Sequence, residues 1–123
     1  MKGTFSGFAL LALCLASGFS QTGPSFRGWL TDEACARGRA AGDKYTGGNP
    51  DCARRCVAEG QRIVLALPQE KRLLVVANPE LAKGNVGNYV EVDGAVDADT
   101  IRLRSVRMLE EGVAACAAPR DKK

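Results

Sequence analysis

Four cysteines that follow an apolar leader constrain the fold of this chain more than any other feature. Met1, Lys2 and Gly3 precede an apolar run from Phe8 to Ala16, which ends in the small-residue stretch Ser17-Gly18-Phe19-Ser20. A positive start, an apolar centre and a small-residue end are the layout of a secretory signal peptide, expected over residues 1–20 with Gln21 as the mature start. Cleavage after Gly18 is the near alternative. The apolar run is far shorter than the roughly 20 residues that span a bilayer, so no stable membrane anchor is expected. Cys14 reads as leader sequence, because Leu13 stands before it where lipid attachment needs a small residue. The expected location is periplasmic or secreted.

Export leaves Cys35, Cys52, Cys56 and Cys116, an even number in a small domain sent to an oxidising compartment, which reads as two disulfides. Asn49-Pro50 followed by Asp51 to Gly60 carries the signals of a short helix: a capping Asn, Pro and an acid in the first turn, and Gly at the end. Cys52 and Cys56 share one face of that helix. Both side chains lean the same way along its axis, which disfavours a bond between them. Cys35, expected in the loop before the helix, is therefore paired with one helix cysteine and Cys116 with the other. Cys35 with Cys56 and Cys52 with Cys116 is the slightly favoured arrangement. Each long loop closed this way contributes on the order of 2 to 4 kcal/mol, chiefly by restricting the unfolded chain.

The sharper alternative is a thiolate site for Cu(I) or zinc, with Cys35, Cys52 and Cys56 as ligands. Structural zinc sites favour tighter C-x2-C pairs, often with His, and the chain contains no histidine. The same absence excludes Ser-His-Asp and Cys-His catalysis. Without a C-x-x-C motif, a thiol oxidoreductase is disfavoured too. Loss of the leader removes Lys2 and no acid, so the mature 103 residues carry a formal charge of +2, too balanced to imply a polyanionic partner.

The mature chain reads as mainly β with short helices. Phe26 to Thr31 is a first strand ended by Asp32, and Ala36 to Gly48, with four Gly and no apolar periodicity, reads as a long loop. Ile63–Leu67 and Arg72–Val76 form a hairpin across Pro68 to Lys71. Asn78 to Gly84 offers one or two helical turns. Tyr89 to Val96 alternates, with Val90, Val92 and Val96 on one face, and Thr100 to Met108 returns after an Asp97-Ala98-Asp99 turn. The apolar phase of that return strand moves from Ile101 and Leu103 to Val106 and Met108, which predicts a bulge near Ser105. Five strands with a short helix between the third and fourth match a small barrel of the oligonucleotide/oligosaccharide-binding (OB-like) type, expected over residues 21–109. An extra disulfide-linked helix stands between strands 1 and 2. Residues 110–123 read as a tail tethered by Cys116.

The segments Gly28-Trp29-Leu30-Thr31-Asp32-Glu33-Ala34-Cys35, Asp51-Cys52-Ala53-Arg54-Arg55-Cys56-Val57-Ala58-Glu59-Gly60 and Gly87-Asn88-Tyr89-Val90-Glu91-Val92-Asp93-Gly94-Ala95-Val96 together resemble a group of small exported bacterial domains of unknown function. Their pattern is D-x-x-C, then C-x3-C-V-x2-G, then G-x2-V-x-V-x-G-x-V. Members of the group often carry a His soon after the first cysteine, where this chain has Ala36-Arg37-Gly38-Arg39. The resemblance implies an OB-like fold and an extracytoplasmic location, with no activity to carry over.

Nucleic-acid binding through such a barrel needs aromatic platforms along a basic groove, and only Phe26, Trp29, Tyr45 and Tyr89 remain after the leader. No nucleic-acid partner is expected. Arg102, Arg104 and Arg107 read as a solvated face that discourages edge pairing. Asp32 reads as a strand-end cap, and Glu91 and Asp93 as partners for arginines across the sheet. No catalytic residue and no cofactor are expected. The leading expectation is a non-enzymatic, disulfide-stabilised envelope module that holds a small ligand or another exported protein on a surface formed by Trp29, Asp32, Arg37, Arg39 and Tyr45.

Overall fold

The structure, a computed structural model, describes Gly3 and residues 23–112. The expected leader, Cys14 within it, Cys116 and the rest of the tail from 113 lie outside the described residues. The described residues form five strands: β1 (Ser25–Asp32), β2 (Ile63–Leu67), β3 (Arg72–Val76), β4 (Tyr89–Asp97) and β5 (Thr100–Glu110). They close into a barrel in the order β1-β2-β3-β5-β4. All neighbours are antiparallel except β3 and β5, which run parallel through Val75 opposite Thr100 and Val76 opposite Ile101. This is the OB-like barrel. Two single 3-10 turns, Pro79–Leu81 and Lys83–Asn85, occupy the connection between β3 and β4.

One strand makes the closure. The first half of β1 pairs with β4, from Ser25 opposite Asp93 to Trp29 opposite Tyr89. Its second half pairs with β2, from Trp29 opposite Ala66 to Asp32 opposite Ile63. At the change of partner the β1 backbone lies close on β2: a Cβ at Gly28 would stand 2.2 Å from the Ala66 carbonyl oxygen. Only glycine avoids that clash. On the far side, β4 and β5 slip register between Asp93 opposite Ser105 and Gly94 opposite Leu103, leaving Arg104 as the extra residue. That is the expected bulge. Beyond it Val106 is half-buried and packs against the core, whereas Met108 stays 51% exposed.

The barrel interior holds Leu30, Leu65, Leu74, Val90, Val92, Ile101 and Leu103, each almost fully buried. On β4 the alternation is clean, with Val90 and Val92 inside and Tyr89, Glu91 and Asp93 half-covered outside. Every residue of β2 is buried, outward-facing ones included. Helices lie over that region.

Two helices, not one, stand between β1 and β2: α1 (Glu33–Ala41) and α2 (Pro50–Ala58). The second is the expected one, with Asn49 Oδ1 accepting from the amides of Asp51 (2.9 Å) and Cys52 (3.2 Å). The first replaces much of the expected loop, and Cys35 lies in it. α1 buries Ala36 alone, so it writes no apolar stripe into the sequence. Its ends define it instead. Asp32 Oδ2 accepts from the Cys35 amide at 3.0 Å, and Glu33 pairs with Arg37 one turn on.

The remaining loop, residues 42–49, is held by contacts that the cysteine framework does not supply. Arg39 donates from Nε to the Thr46 carbonyl (3.0 Å) and from Nη2 to Thr31 Oγ1 (3.2 Å). Gly47 packs flat on the Trp29 indole, where a Cβ would lie 2.7 Å from the ring. At the other end β5 runs through Glu110, two residues past the expected strand end at Met108, and the Gly112 amide donates to Asn88 Oδ1 at 3.1 Å.

Across the outer sheet, Glu91 accepts from Arg107 and from Arg27 (3.0 Å), while Asp93 accepts from Ser105. The Arg107 hydrogen bond first, and Arg27 after it, hold the Glu91 carboxyl below its ordinary value of 4.5. A carboxyl lowered by folding adds stability above its unfolded-state value, and that stability is lost as the pH falls through the folded value. Glu91→Gln is therefore expected to lower the denaturation midpoint at pH ~7, and the difference from the wild type should close on acidification below pH ~4. A difference independent of pH would count against the pair. Gly28→Ala is expected to lose about 1 to 3 kcal/mol in chemical denaturation through forced strand displacement, with an unchanged midpoint counting against the close crossing.

Candidate functional site

Asp32, Cys35 and Cys56 meet at the junction of β1, α1 and α2. One ligand-type atom from each, a carboxylate oxygen and two sulfurs, lies within 4.8 Å of the others. Local structure brings them there. β1 ends at Asp32, whose carboxylate caps α1 and so fixes Cys35 three residues on, while α2 carries Cys56 one turn beyond Cys52. Asp32 is 1% exposed, Cys35 is open to solvent, and Cys56 is intermediate. The two sulfurs are unbonded. Cys52 is not in the group; its sulfur accepts from Arg55 Nη2 at 3.6 Å. Cys116, its expected partner, lies outside the described residues.

The electrostatics of the group are one-sided. Among the described residues no Lys or Arg forms an ion pair with Asp32, and its carboxylate takes its hydrogen bonds from Cys35, from the amide at 3.0 Å and from the thiol. Desolvation first, then the charge and hydrogen bonding of Asp32, hold the Cys35 thiol above its ordinary value, against a weaker opposing pull from Arg39. A thiol that resists ionisation is a weak nucleophile. Beside the group, Glu33 takes hydrogen bonds from Arg62 (2.6 Å) and Arg37 (2.5 Å) and is held below the usual carboxylate range by them in that order. That triad ties α1 to the start of β2.

The five residues expected to share a ligand surface separate into two sets. Arg37 and Tyr45 line a depression of about 270 Å³ together with Lys71, Arg72 and Asp99, where α1 and its loop approach β3 and the β4–β5 turn. Trp29, Asp32 and Arg39 do not line it. Trp29 is half-buried under Gly47, with its ring 5.2 Å from that of Tyr89. Asp32 faces the cysteines, and Arg39 holds the loop. Each cation of the depression has an acid beside it: Arg37 with Glu33 (2.5 Å), Lys71 with Asp43 (3.2 Å) and Arg72 with Asp99 (3.8 Å).

Sequence reasoning missed Asp32 as a neighbour of both sulfurs, and it missed Lys71, Arg72 and Asp99. The first had a local signal, because D-x-x-C is the spacing from a helix cap to the third helical residue. The others had none. An apolar cleft of about 370 Å³ between α2 and the first 3-10 turn, walled by Val57, Ile63, Val76 and Pro79, was equally silent.

No family model, curated protein or solved structure matches the chain. Among the described residues no helix is long and apolar enough to cross a membrane.

Asp32→Ala removes the α1 cap and is expected to cost about 1 kcal/mol in urea denaturation, whereas Asp32→Asn, which keeps a capping oxygen, is expected to hold stability within about 0.5 kcal/mol. Equal losses in the two variants would show that the cap is not what Asp32 contributes.

Proposed function

We propose that this protein is an exported, non-enzymatic binding module in which disulfides clamp the helices to a small barrel and the face around Tyr45 takes a polar, saccharide-like ligand. The leader and the even cysteine count support export to an oxidising compartment, periplasmic or extracellular. The sulfurs of Cys35 and Cys56 lie within 4.8 Å of each other, and a bond between them would join α1 to α2. The bond leaves both sulfurs uncharged beside a buried carboxylate. The last described residue supports the second bridge: a Cβ on Gly112 would lie 3.1 Å from Pro50, in the first turn of α2, and the four residues on to Cys116 reach roughly 14 Å when extended. Cys52 is in that same turn.

The observation that carries the ligand class is that each cation lining the depression is already paired with an acid, Asp99 in the lining itself and Glu33 and Asp43 beside it. Three cations each stand beside an acid, with one tyrosine ring among them. A polyanion would gain little there, whereas a polyhydroxylated ligand finds donors, acceptors and an amphipathic ring together. The position agrees with the use that OB-type barrels make of the loops between strands 1 and 2 and between strands 4 and 5.

Two measurements test this reading. The mature, unreduced protein is expected to weigh four hydrogens less than its reduced form, with Cys35–Cys56 and Cys52–Cys116 found by peptide mapping; four free thiols would overturn the clamp. Titration with a β-1,4-linked N-acetylglucosamine tetramer is expected to shift amides at positions 37–45, 71–73 and 99, with about tenfold weaker binding in Tyr45→Ala. No shifts at those positions would overturn the ligand face.

A further inference from the structure

The sulfurs of Cys35 and Cys56 share their space with a group that a disulfide does not use. Asp32 is 1% exposed, carries no ion pair among the described residues, and sets a carboxylate oxygen within 4.8 Å of both sulfurs. A buried carboxylate without a cation is costly, and such groups are ordinarily paired or bound to metal. Once the two sulfurs are thiols, three potential anions stand together, and the nearby cation, Arg39, is bonded to Thr31 and Thr46 rather than to any of them. A divalent cation would neutralise them at one stroke.

We infer that in the reduced protein Asp32, Cys35 and Cys56 form a three-ligand site for a borderline divalent metal of the zinc type, with a fourth position open to solvent beside Cys35. The inference rests on the closeness of Cys35 and Cys56 that the proposed clamp also uses, and adds a second state of the same atoms. The geometry agrees with zinc. Bonds of about 2.3 Å to sulfur and about 2.1 Å to oxygen, at tetrahedral angles, separate the donor atoms by about 3.5 to 3.8 Å, inside the observed spread. The donor set selects among metals. Cu(I) prefers soft sulfur alone, so a buried carboxylate in the first sphere favours zinc over copper. Cys52 has no part in the site.

The two states interconvert with electrons and atoms balanced. An external dithiol reduces the Cys35–Cys56 bond, giving two thiols with two electrons and two protons taken up while the dithiol becomes a disulfide. Zinc then binds both sulfurs, displacing the two thiol protons to solvent, and takes an Asp32 carboxylate oxygen as its third protein ligand. An external disulfide reverses the change: it takes two electrons from the two sulfurs and two protons from solvent to become a pair of thiols, the Cys35–Cys56 bond forms again, and the metal is released.

The test uses the mature chain carrying Cys52→Ser and Cys116→Ser, so that only one pair of sulfurs remains. Its thiol count before reduction reads the clamp alone: none supports the bridge, and two overturn it without touching the metal site. After reduction and removal of the dithiol, Co²⁺ is titrated as a spectroscopic stand-in for zinc. One equivalent with a thiolate-to-cobalt charge-transfer band is expected, displaced by Zn²⁺. Asp32→Asn, which keeps the helix cap, is expected to weaken binding at least tenfold. Zinc is also expected to slow alkylation of Cys35 and Cys56 at least tenfold in the chain with Asp32 intact, a reading that needs no further variant. Absence of the band, or binding undiminished in Asp32→Asn, or unprotected thiols, overturns the inference.

Discussion

The change of partner within β1 is the constraint on which the rest of the structure depends. A single strand of eight residues bonds to β4 with its first half and to β2 with its second, and this closes the barrel. The bend is possible because Gly28 lets the backbone of β1 press against the Ala66 carbonyl. Closure removes free edges that a five-stranded sheet would otherwise present to other chains. It also carries Thr31 and Asp32 inward, both essentially unexposed, so the strand ends with a polar pair in a place that must satisfy it.

What satisfies that pair organises the helical side of the molecule. Thr31 accepts from Arg39, which in turn fastens the loop through Thr46, while Asp32 caps α1. The helix is thus specified by its polar ends and by one buried alanine, not by an apolar face. Glu33 completes the attachment by reaching Arg62 at the threshold of β2. Exposed pairs of this kind are individually weak, so the junction relies on several acting together. The proposed bridge between Cys35 and Cys56 would reinforce the same junction covalently, and the proposed metal site would do so by coordination.

The strands were legible wherever one face met the core. β2 and β3 lie where their short apolar runs place them, and the bulge in β5 lies where the apolar phase changes. α2 was legible from Asn49, Pro50 and the glycine at its end. α1 was not, because a nine-residue helix that buries only Ala36 leaves no periodic trace, and Gly38 within it argues for a loop. The ligand surface drawn from Trp29, Asp32, Arg37, Arg39 and Tyr45 combined residues that are neighbours along the chain. Asp32 and Arg39 turned to bond the backbone of α1 and of the loop, and Trp29 lies under Gly47.

Local rules determined the elements: alternation set the β4 face, and capping residues set the ends of α2. These depend on near neighbours in the chain, and near neighbours are what a sequence displays. Only the tertiary structure decided that Asp32 stands with Cys56 and that Tyr45 stands with Lys71 and Asp99. Those meetings follow from barrel closure and from the angles at which two short helices cross it. No periodicity records such angles, since they come from packing between segments far apart along the chain.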